Sequence, residues 1–155
     1  MAEENLVELS PEEAARLASV ENSADALSAL IEDLSSSSRR TRQLAGRVVN
    51  LLAEREPDLL APFIEQLVDA LYRPEAQTRW EVLDALTLLV PEHAKECGAA
   101  YEGAEAALFD EISAPLRLSA FRFLVVWGAT ERRRSEKVWP LIDEAIQCYH
   151  GDLEF

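Results

Sequence analysis

Apolar residues recur along the chain at every third or fourth position, which is the spacing of one face of an α-helix. This periodicity predicts eight helices, and no segment has the strict alternation typical of a half-buried strand. The first two predicted helices lie within residues 10–34. The other six run approximately over residues 38–55, 58–72, 75–90, 94–110, 114–129 and 135–150. The pattern therefore predicts an all-α protein.

The ends of the predicted helices are marked by serine and proline. Ser10 is an expected N-cap, and Pro11 suits the first helical position that follows it. Prolines also occur at predicted helix starts or just beyond helix ends, where a missing amide hydrogen does little harm: Pro57, Pro74, Pro91 and Pro115. Ser35–Ser38 is interpreted as a turn followed by an N-cap rather than as a linker. Short connections favour antiparallel packing of consecutive helices.

Six of the predicted helices form three similar pairs. Arg42, Arg79 and Arg117 each precede a small apolar residue by three positions, and they are 37 and 38 residues apart. The second helices of the first and third pairs also align, with Pro62–Gln66 matching Pro140–Glu144. One helix pair cannot bury its apolar face alone, so such pairs are expected to stack and share a continuous core.

This period, with its recurrent arginine, resembles the HEAT-repeat (armadillo-like) family over residues 38–151. The resemblance implies a right-handed α-α superhelix of about three HEAT-like helix pairs, whose second helices line a concave face. Residues 10–34 then form an N-terminal helix pair or cap, and residues 1–155 form a single α-solenoid domain. The asparagine or aspartate often found near each inter-helix turn of the family is not clearly repeated here.

The three recurrent arginines have a structural and a functional interpretation. As a ladder of positive charge on the first helices, they would bind an anionic ligand. As repeat residues, they are expected to pack their stems on neighbouring pairs and to meet carboxylates, with Asp84 a candidate partner of Arg79. The structural interpretation is favoured, because a residue that recurs in every repeat is explained first by packing between repeats.

The charge of the chain limits its possible functions more than it limits the fold. The 155 residues include 29 acidic and 15 basic ones, a formal net charge of -14. This balance argues against nucleic acid as a partner, because that binding needs lysine and arginine to displace phosphate counterions. No apolar run approaches the roughly 18 residues of a membrane span, and the acidic N-terminus lacks a secretory-signal pattern. With only two cysteines, the expected location is the cytoplasm.

The most informative candidate surface lies on the second helices. The repeat register places Glu65, Glu102 and Asp143 at equivalent exposed positions, and Asp69 and Glu144 extend this acidic stripe. A solvated helix face is the simpler interpretation. The functional one is a groove that attracts a basic or amphipathic segment of another protein. We expect the first three carboxylates to share one exposed face.

Aromatic residues crowd the last third of the chain. The final helix pair includes Trp127 and Trp139, and it carries more aromatic mass than one preceding repeat is expected to cover. The last repeat of a stack needs a polar outer face or a cover. These residues therefore predict an apolar patch at the C-terminal end, used for self-association or for docking a partner helix.

No cofactor or metal centre is predicted. The sequence has no P-loop, dinucleotide glycine motif or nucleophile elbow. His93 and Cys97 are four residues apart, and Cys148 and His150 lie close together. The repeat register separates these two groups by about 15 Å along the helix axes. A tetrahedral zinc site assembled from these four residues is therefore excluded under the repeat interpretation.

Two functions stay open at this point. The first is a non-enzymatic protein–protein interaction scaffold that presents the acidic stripe to a cationic or amphipathic partner segment. The alternative is a DNA glycosylase or another nucleic-acid-binding solenoid, since some HEAT-like proteins grip damaged DNA in a basic concave face. Trp80, Asp84 and Trp127 are the candidates for contacts with the lesion. The acidic stripe argues against this alternative, because it would repel the phosphate backbone.

Overall fold

Helices account for all regular secondary structure that the computed structural model describes, which covers residues 9–152. The eight α-helices are α1 (Pro11–Asn22), α2 (Ala24–Asp33), α3 (Arg39–Arg55), α4 (Ile64–Ala70), α5 (Ala76–Cys97), α6 (Tyr101–Leu108), α7 (Ala114–Gly128) and α8 (Arg132–Tyr149). Three 3₁₀ turns cover Pro57–Leu59, Ala61–Phe63 and Gly98–Ala100. The all-α prediction is confirmed. The predicted domain also takes in residues 1–8 and 153–155, which lie outside the described range.

Serine side chains start four of the helices. The hydroxyl of each of these serines accepts a hydrogen bond from the backbone N–H three residues ahead: Ser10 for α1, Ser23 for α2, Ser38 for α3 and Ser113 for α7. Each bond satisfies one of the four amides that have no partner within the helix. The interpretation of Ser35–Ser38 as a turn and N-cap is confirmed.

Two prolines make the helix boundaries differ from the predicted ones. The predicted helix over 58–72 is α-helical only from Ile64 to Ala70, because Pro57 and Pro62 fall in the 3₁₀ turns that precede it. The expected break near Pro91 is present as a kink. The backbone angles of His93 are non-helical (φ -131°, ψ 34°), so α5 consists of one helical stretch before this residue and a short one after it that ends at Cys97. Pro91 lacks an amide hydrogen, so the turn before it loses one helical hydrogen bond, and the kink lies two residues after it.

The odd-numbered helices pack in succession, α1 on α3, α3 on α5 and α5 on α7. The even-numbered helices cover them, with α2 on α3, α4 on α5, and α6 and α8 on α7. The apolar residues between them form one core cluster that extends from Leu17 in α1 to Ala145 in α8. None of the described helices has both the length and the apolar character needed to cross a membrane.

Each recurrent arginine is paired with a carboxylate that lies just after the end of its own helix pair or at the start of the next pair. The pairs are Arg42 with Glu75, Arg79 with Asp110 and Arg117 with Asp152, at N–O distances of 2.7, 3.5 and 2.7 Å. The expectation that the arginines meet carboxylates is confirmed. Asp84 as the partner of Arg79 was wrong, because Asp84 lies within α5 and forms a side-chain hydrogen bond with Ser119 of α7.

The first of these pairs joins three segments of the chain. Arg42 donates from Nε and Nη2 to the two carboxylate oxygens of Glu75, at 2.7 and 2.8 Å, and from Nη1 to the carbonyl of Ser36 at 2.8 Å. Thr78 donates its hydroxyl to the same carboxylate. The hydrogen bonds from Arg42 lower the pKa of Glu75 to about 2, against burial, which raises it. The pair therefore ties α3 to the start of α5.

Candidate partner-binding site

Two adjoining cavities follow the exposed side of α4. The first, of about 460 Å³, is lined by Glu65, Gln66, Val68, Asp69 and Tyr72. The second, of about 290 Å³, is lined by Ala61, Pro62, Ile64, Glu65, Val68, Glu96 and Ala99. Both cavities include Glu65 and Val68, so they adjoin each other along this side of α4. We call these lining residues together the α4 groove.

The amphipathic pattern of α4 creates this groove. Ile64, Leu67 and Ala70 are buried in the core, which leaves the opposite side of the short helix toward solvent. On that side, Val68 is half-buried and the Tyr72 side chain is 62 % exposed. The groove therefore has apolar contact area that no other part of the described chain covers.

Carboxylates edge the same groove. Glu65, Asp69 and Glu96 are all exposed. Asp69 is paired with Arg73 at 2.7 Å, and Arg73 also donates to the carbonyl of Leu34. Within residues 9–152, no lysine or arginine forms an ion pair with Glu65 or Glu96. These two side chains therefore carry the uncompensated negative charge of the groove.

The acidic stripe is only partly gathered in this groove. Glu65 and Asp69 lie in it, whereas Glu102 on α6 and Asp143 and Glu144 on α8 are exposed but do not line it. Asp143 accepts a hydrogen bond from Gln147. That these carboxylates share one face along successive helices stays a prediction.

Glu96 is a groove residue that the sequence interpretation missed. The sequence predicts a helix that begins near residue 94, and a helical stretch does begin there after the kink at His93. The kink brings Glu96 to the second cavity beside Glu65 and Ala99. No local signal in the sequence reports the direction of this kink, which decides where Glu96 lies.

Trp127 was expected at a partner surface, and this expectation was wrong. Its side chain is 5 % exposed, because it packs on Tyr101 with ring centroids 5.8 Å apart. The indole N–H donates to the carbonyl of Ala94 at 2.9 Å. Gly98 lies against the indole ring, where a Cβ atom would come within 3.3 Å of it. Trp127 therefore joins α7 to the bent end of α5 in the core.

Trp139 lies at the surface, as expected, and is 64 % exposed. Lys137 places its ammonium group 4.1 Å from the ring centroid of Tyr101, so that side of α8 faces α6. Successive helical residues are about 100° apart, which puts Trp139 and Ile146 on the opposite flank. Ile146 is also exposed. We call Trp139 and Ile146 the α8 patch.

The residues proposed for contacts with damaged DNA do not share one environment. Trp127 belongs to the core, and Trp80 is half-buried on α5. Asp84 is half-buried between α5 and α7, where burial raises its pKa, and its hydrogen bond with Ser119 and the charge of Arg122 lower it. Asp84 therefore has contacts within the helix stack, and its position is explained without a ligand.

The two cysteines differ in environment. Cys97 is buried, and this burial raises the pKa of its thiol to about 12, so the group stays protonated near neutral pH. Cys148 is exposed near the end of α8. Neither cysteine belongs to the one cluster of three metal-binding side chains found among residues 9–152.

Comparison of the chain with family models, with curated proteins and with solved structures finds no match. The resemblance to HEAT repeats therefore depends on the repeat in the sequence alone and stays a prediction. What the structure defines is an all-helical protein with an acidic, partly apolar groove along α4 and an exposed apolar patch on α8.

Proposed function

We propose that the protein is a non-enzymatic interaction scaffold built from HEAT-like helix pairs, and that it binds a cationic, amphipathic segment of another protein in the α4 groove. The observation that carries this proposal is the exposure of Tyr72 and the partial exposure of Val68 in cavities that are also lined by Glu65 and Glu96, two carboxylates without an ion-pair partner among residues 9–152. An apolar surface edged by negative charge complements a helix or strand that carries both apolar and basic side chains.

The packing order of the helices supports the solenoid part of this proposal. In a right-handed α-α superhelix, each first helix packs on the first helix of the next pair. The succession α1, α3, α5 and α7 follows that rule, and the arginine–carboxylate pairs recur along it. Such a stack would hold the α4 groove rigid, which lowers the entropy lost on binding.

Charge and apolar contact have different roles in the proposed binding. A net charge of -14 accelerates the approach of a basic segment, and salt screens this attraction. Aromatic side chains dominate the energy of many interfaces once they are covered. Tyr72 is therefore expected to supply most of the affinity, and Glu65 is expected to supply orientation and the dependence on salt.

The groove is tested with a fluorescein-labelled amphipathic peptide of leucine and lysine, whose binding is followed by fluorescence anisotropy. We expect Tyr72→Ala to weaken binding by about tenfold, because an aromatic contact is lost. Glu65→Lys is expected to weaken binding by a similar factor and to reduce its salt dependence. Glu111→Lys makes the same charge change at an exposed carboxylate outside the groove and is the matched control for Glu65→Lys.

The control should bind the peptide as the parent does. Equal affinities for the parent, Tyr72→Ala and Glu65→Lys would contradict the proposal, since the peptide would then bind elsewhere on the acidic surface. Unfolding temperatures of all variants show whether a loss of binding reflects a loss of structure.

We also propose self-association through the α8 patch, since Trp139 and Ile146 lie on the flank of α8 opposite α6. In sedimentation velocity, the parent is expected to form a dimer as its concentration rises, and Trp139→Glu is expected to remain monomeric. Ile112→Glu is the matched control, because Ile112 is also highly exposed but lies between α6 and α7. A parent that stays monomeric at every concentration would contradict self-association.

A further inference from the structure

Three potential metal ligands meet where the turn after α3 approaches the bend of α5. One ligand atom from each of Asp58, Glu92 and His93 lies within 4.8 Å of the other two. The His93 Nε2 atom is 3.9 Å from Asp58 Oδ1. This distance is too long for a hydrogen bond. Two ligands of one tetrahedral zinc ion lie about 3.3–3.6 Å apart, so a small approach of these two side chains would let them bind the same ion.

Two prolines place these side chains. Pro57 begins the 3₁₀ turn that contains Asp58, and Pro91 precedes the bend that contains Glu92 and His93. Neighbouring residues of a regular helix point about 100° apart, which separates their side chains. The non-helical φ of -131° at His93 changes the direction of its side chain relative to Glu92. The bend thus contributes to bringing both side chains near Asp58.

The cluster lines a surface cavity of about 150 Å³. The other walls of this cavity are proline and leucine side chains, among them Pro57, Leu88 and Leu89. A water molecule occupies about 30 Å³, so the cavity has room for an ion and a water ligand. Asp58 and Glu92 are exposed and His93 is half-buried, so the two carboxylates are accessible to an ion from solvent.

The donor set selects the type of cation. Calcium and magnesium prefer oxygen ligands alone, whereas one imidazole nitrogen with two carboxylates suits zinc. Three protein ligands leave the fourth position of a tetrahedral ion for water. We propose that Asp58, Glu92 and His93 bind one zinc ion, which links the connection between α3 and α4 to the bend of α5.

This site is separate from the α4 groove and does not depend on the proposed function. A ligand that binds only the folded chain stabilises it, so zinc is expected to raise the unfolding temperature. The three ligands come from two segments about 34 residues apart in sequence (58 to 92). Zinc should therefore oppose local separation of the Pro57–Leu59 turn from α5.

The test is isothermal titration of the full chain with zinc chloride, in a Cys148→Ser background that removes the exposed thiol as a competing ligand. We expect one zinc ion per chain. His93→Asn and Asp58→Asn are each expected to weaken binding at least tenfold, because a direct ligand is lost. His150→Asn removes the other, exposed histidine and should leave binding unchanged.

Thermal unfolding provides the second measurement. We expect zinc to raise the unfolding temperature of the parent and of His150→Asn, and to leave that of the two ligand variants unchanged. If His93→Asn and Asp58→Asn bind zinc with the affinity of the parent, the proposed site is wrong. Binding of several ions per chain that high salt abolishes would also overturn it, since it would show only general attraction to an acidic surface.

Discussion

Replacing Glu75 with glutamine is expected to lower the unfolding temperature by roughly 5–10 °C. The Glu75 side chain is 1 % exposed and accepts two hydrogen bonds from Arg42 and one from Thr78. Glutamine preserves the volume but removes the charge, so the guanidinium of Arg42 would stay in the helix interface without its counter-ion. Thermal unfolding followed by circular dichroism measures the effect.

A matched control separates this buried pair from ordinary surface pairs. Arg132 and Glu136 are both highly exposed and lie 3.0 Å apart on α8. Glu136→Gln removes the same charge by the same substitution and is expected to change the unfolding temperature by less than about 2 °C. Equal effects of the two substitutions would contradict the role assigned to Glu75.

The same pair predicts a dependence of stability on pH. The pKa of Glu75 is lowered to about 2 from an ordinary value of 4.5, mainly by the hydrogen bonds from Arg42. The stabilisation is therefore fully present above about pH 4.5 and is lost as the pH falls toward 2. The difference between the parent and Glu75→Gln should shrink over that range. A difference that is constant with pH would contradict this assignment.

The pKa of another carboxyl group, Glu81, is shifted in the opposite direction, so its effect on stability must be separated from that of Glu75. Burial raises the pKa of Glu81, although the hydrogen bond from Asn50 lowers it. The unfolded chain therefore releases the Glu81 proton at a lower pH than the folded chain does. As the pH rises through the ordinary pKa of a glutamate, Glu81 thus lowers the stability of the fold. Comparison with Glu75→Gln at each pH cancels this contribution, because both proteins retain Glu81.

Alanine at position 128 is expected to destabilise the protein by about 1–3 kcal/mol. A Cβ atom on Gly128, at the end of α7, would overlap a methyl group of Val138 in α8. Val138 is buried and β-branched, so it has few ways to move aside. The helix that carries Gly128 would have to shift away from α8. Urea unfolding of the two proteins measures the free-energy difference.

The control for this substitution is Gly46→Ala. Gly46 is also a buried helical glycine, but its added Cβ atom would lie 3.5 Å from the nearest atoms, which is an ordinary contact distance. Alanine is a better helix former than glycine by about 1 kcal/mol, so Gly46→Ala is expected to be neutral or stabilising. If both substitutions stabilise, the tight contact between α7 and α8 is not present in solution.

Local sequence features determined the helices. Hydrophobic periodicity and serine caps act over a few residues, so the all-α class and the capped starts at Ser10 and Ser38 were predicted correctly. The same local logic predicted a break near Pro91, and the chain is kinked at His93, two residues later.

The repeat in the sequence determined that the arginines would meet carboxylates, but only the tertiary structure decided which ones. The partners lie 31–35 residues away, as with Arg42 and Glu75, and helix packing sets those distances. Burial is decided in the same way. Trp127 and Trp139 both belong to the last predicted helix pair, and the sequence alone does not distinguish them. In the structure Trp127 is buried beside Tyr101, whereas Trp139 is exposed on the outer flank of α8.

The candidate sites show the same division. Sequence position placed Glu65 and Asp69 on an exposed face, because one turn of helix separates them. The arrival of Glu96 beside Glu65, and of His93 near Asp58, depends on the angle of the bend in α5. Such convergence between distant segments is set by how the helices pack, and no spacing in a single sequence encodes it directly.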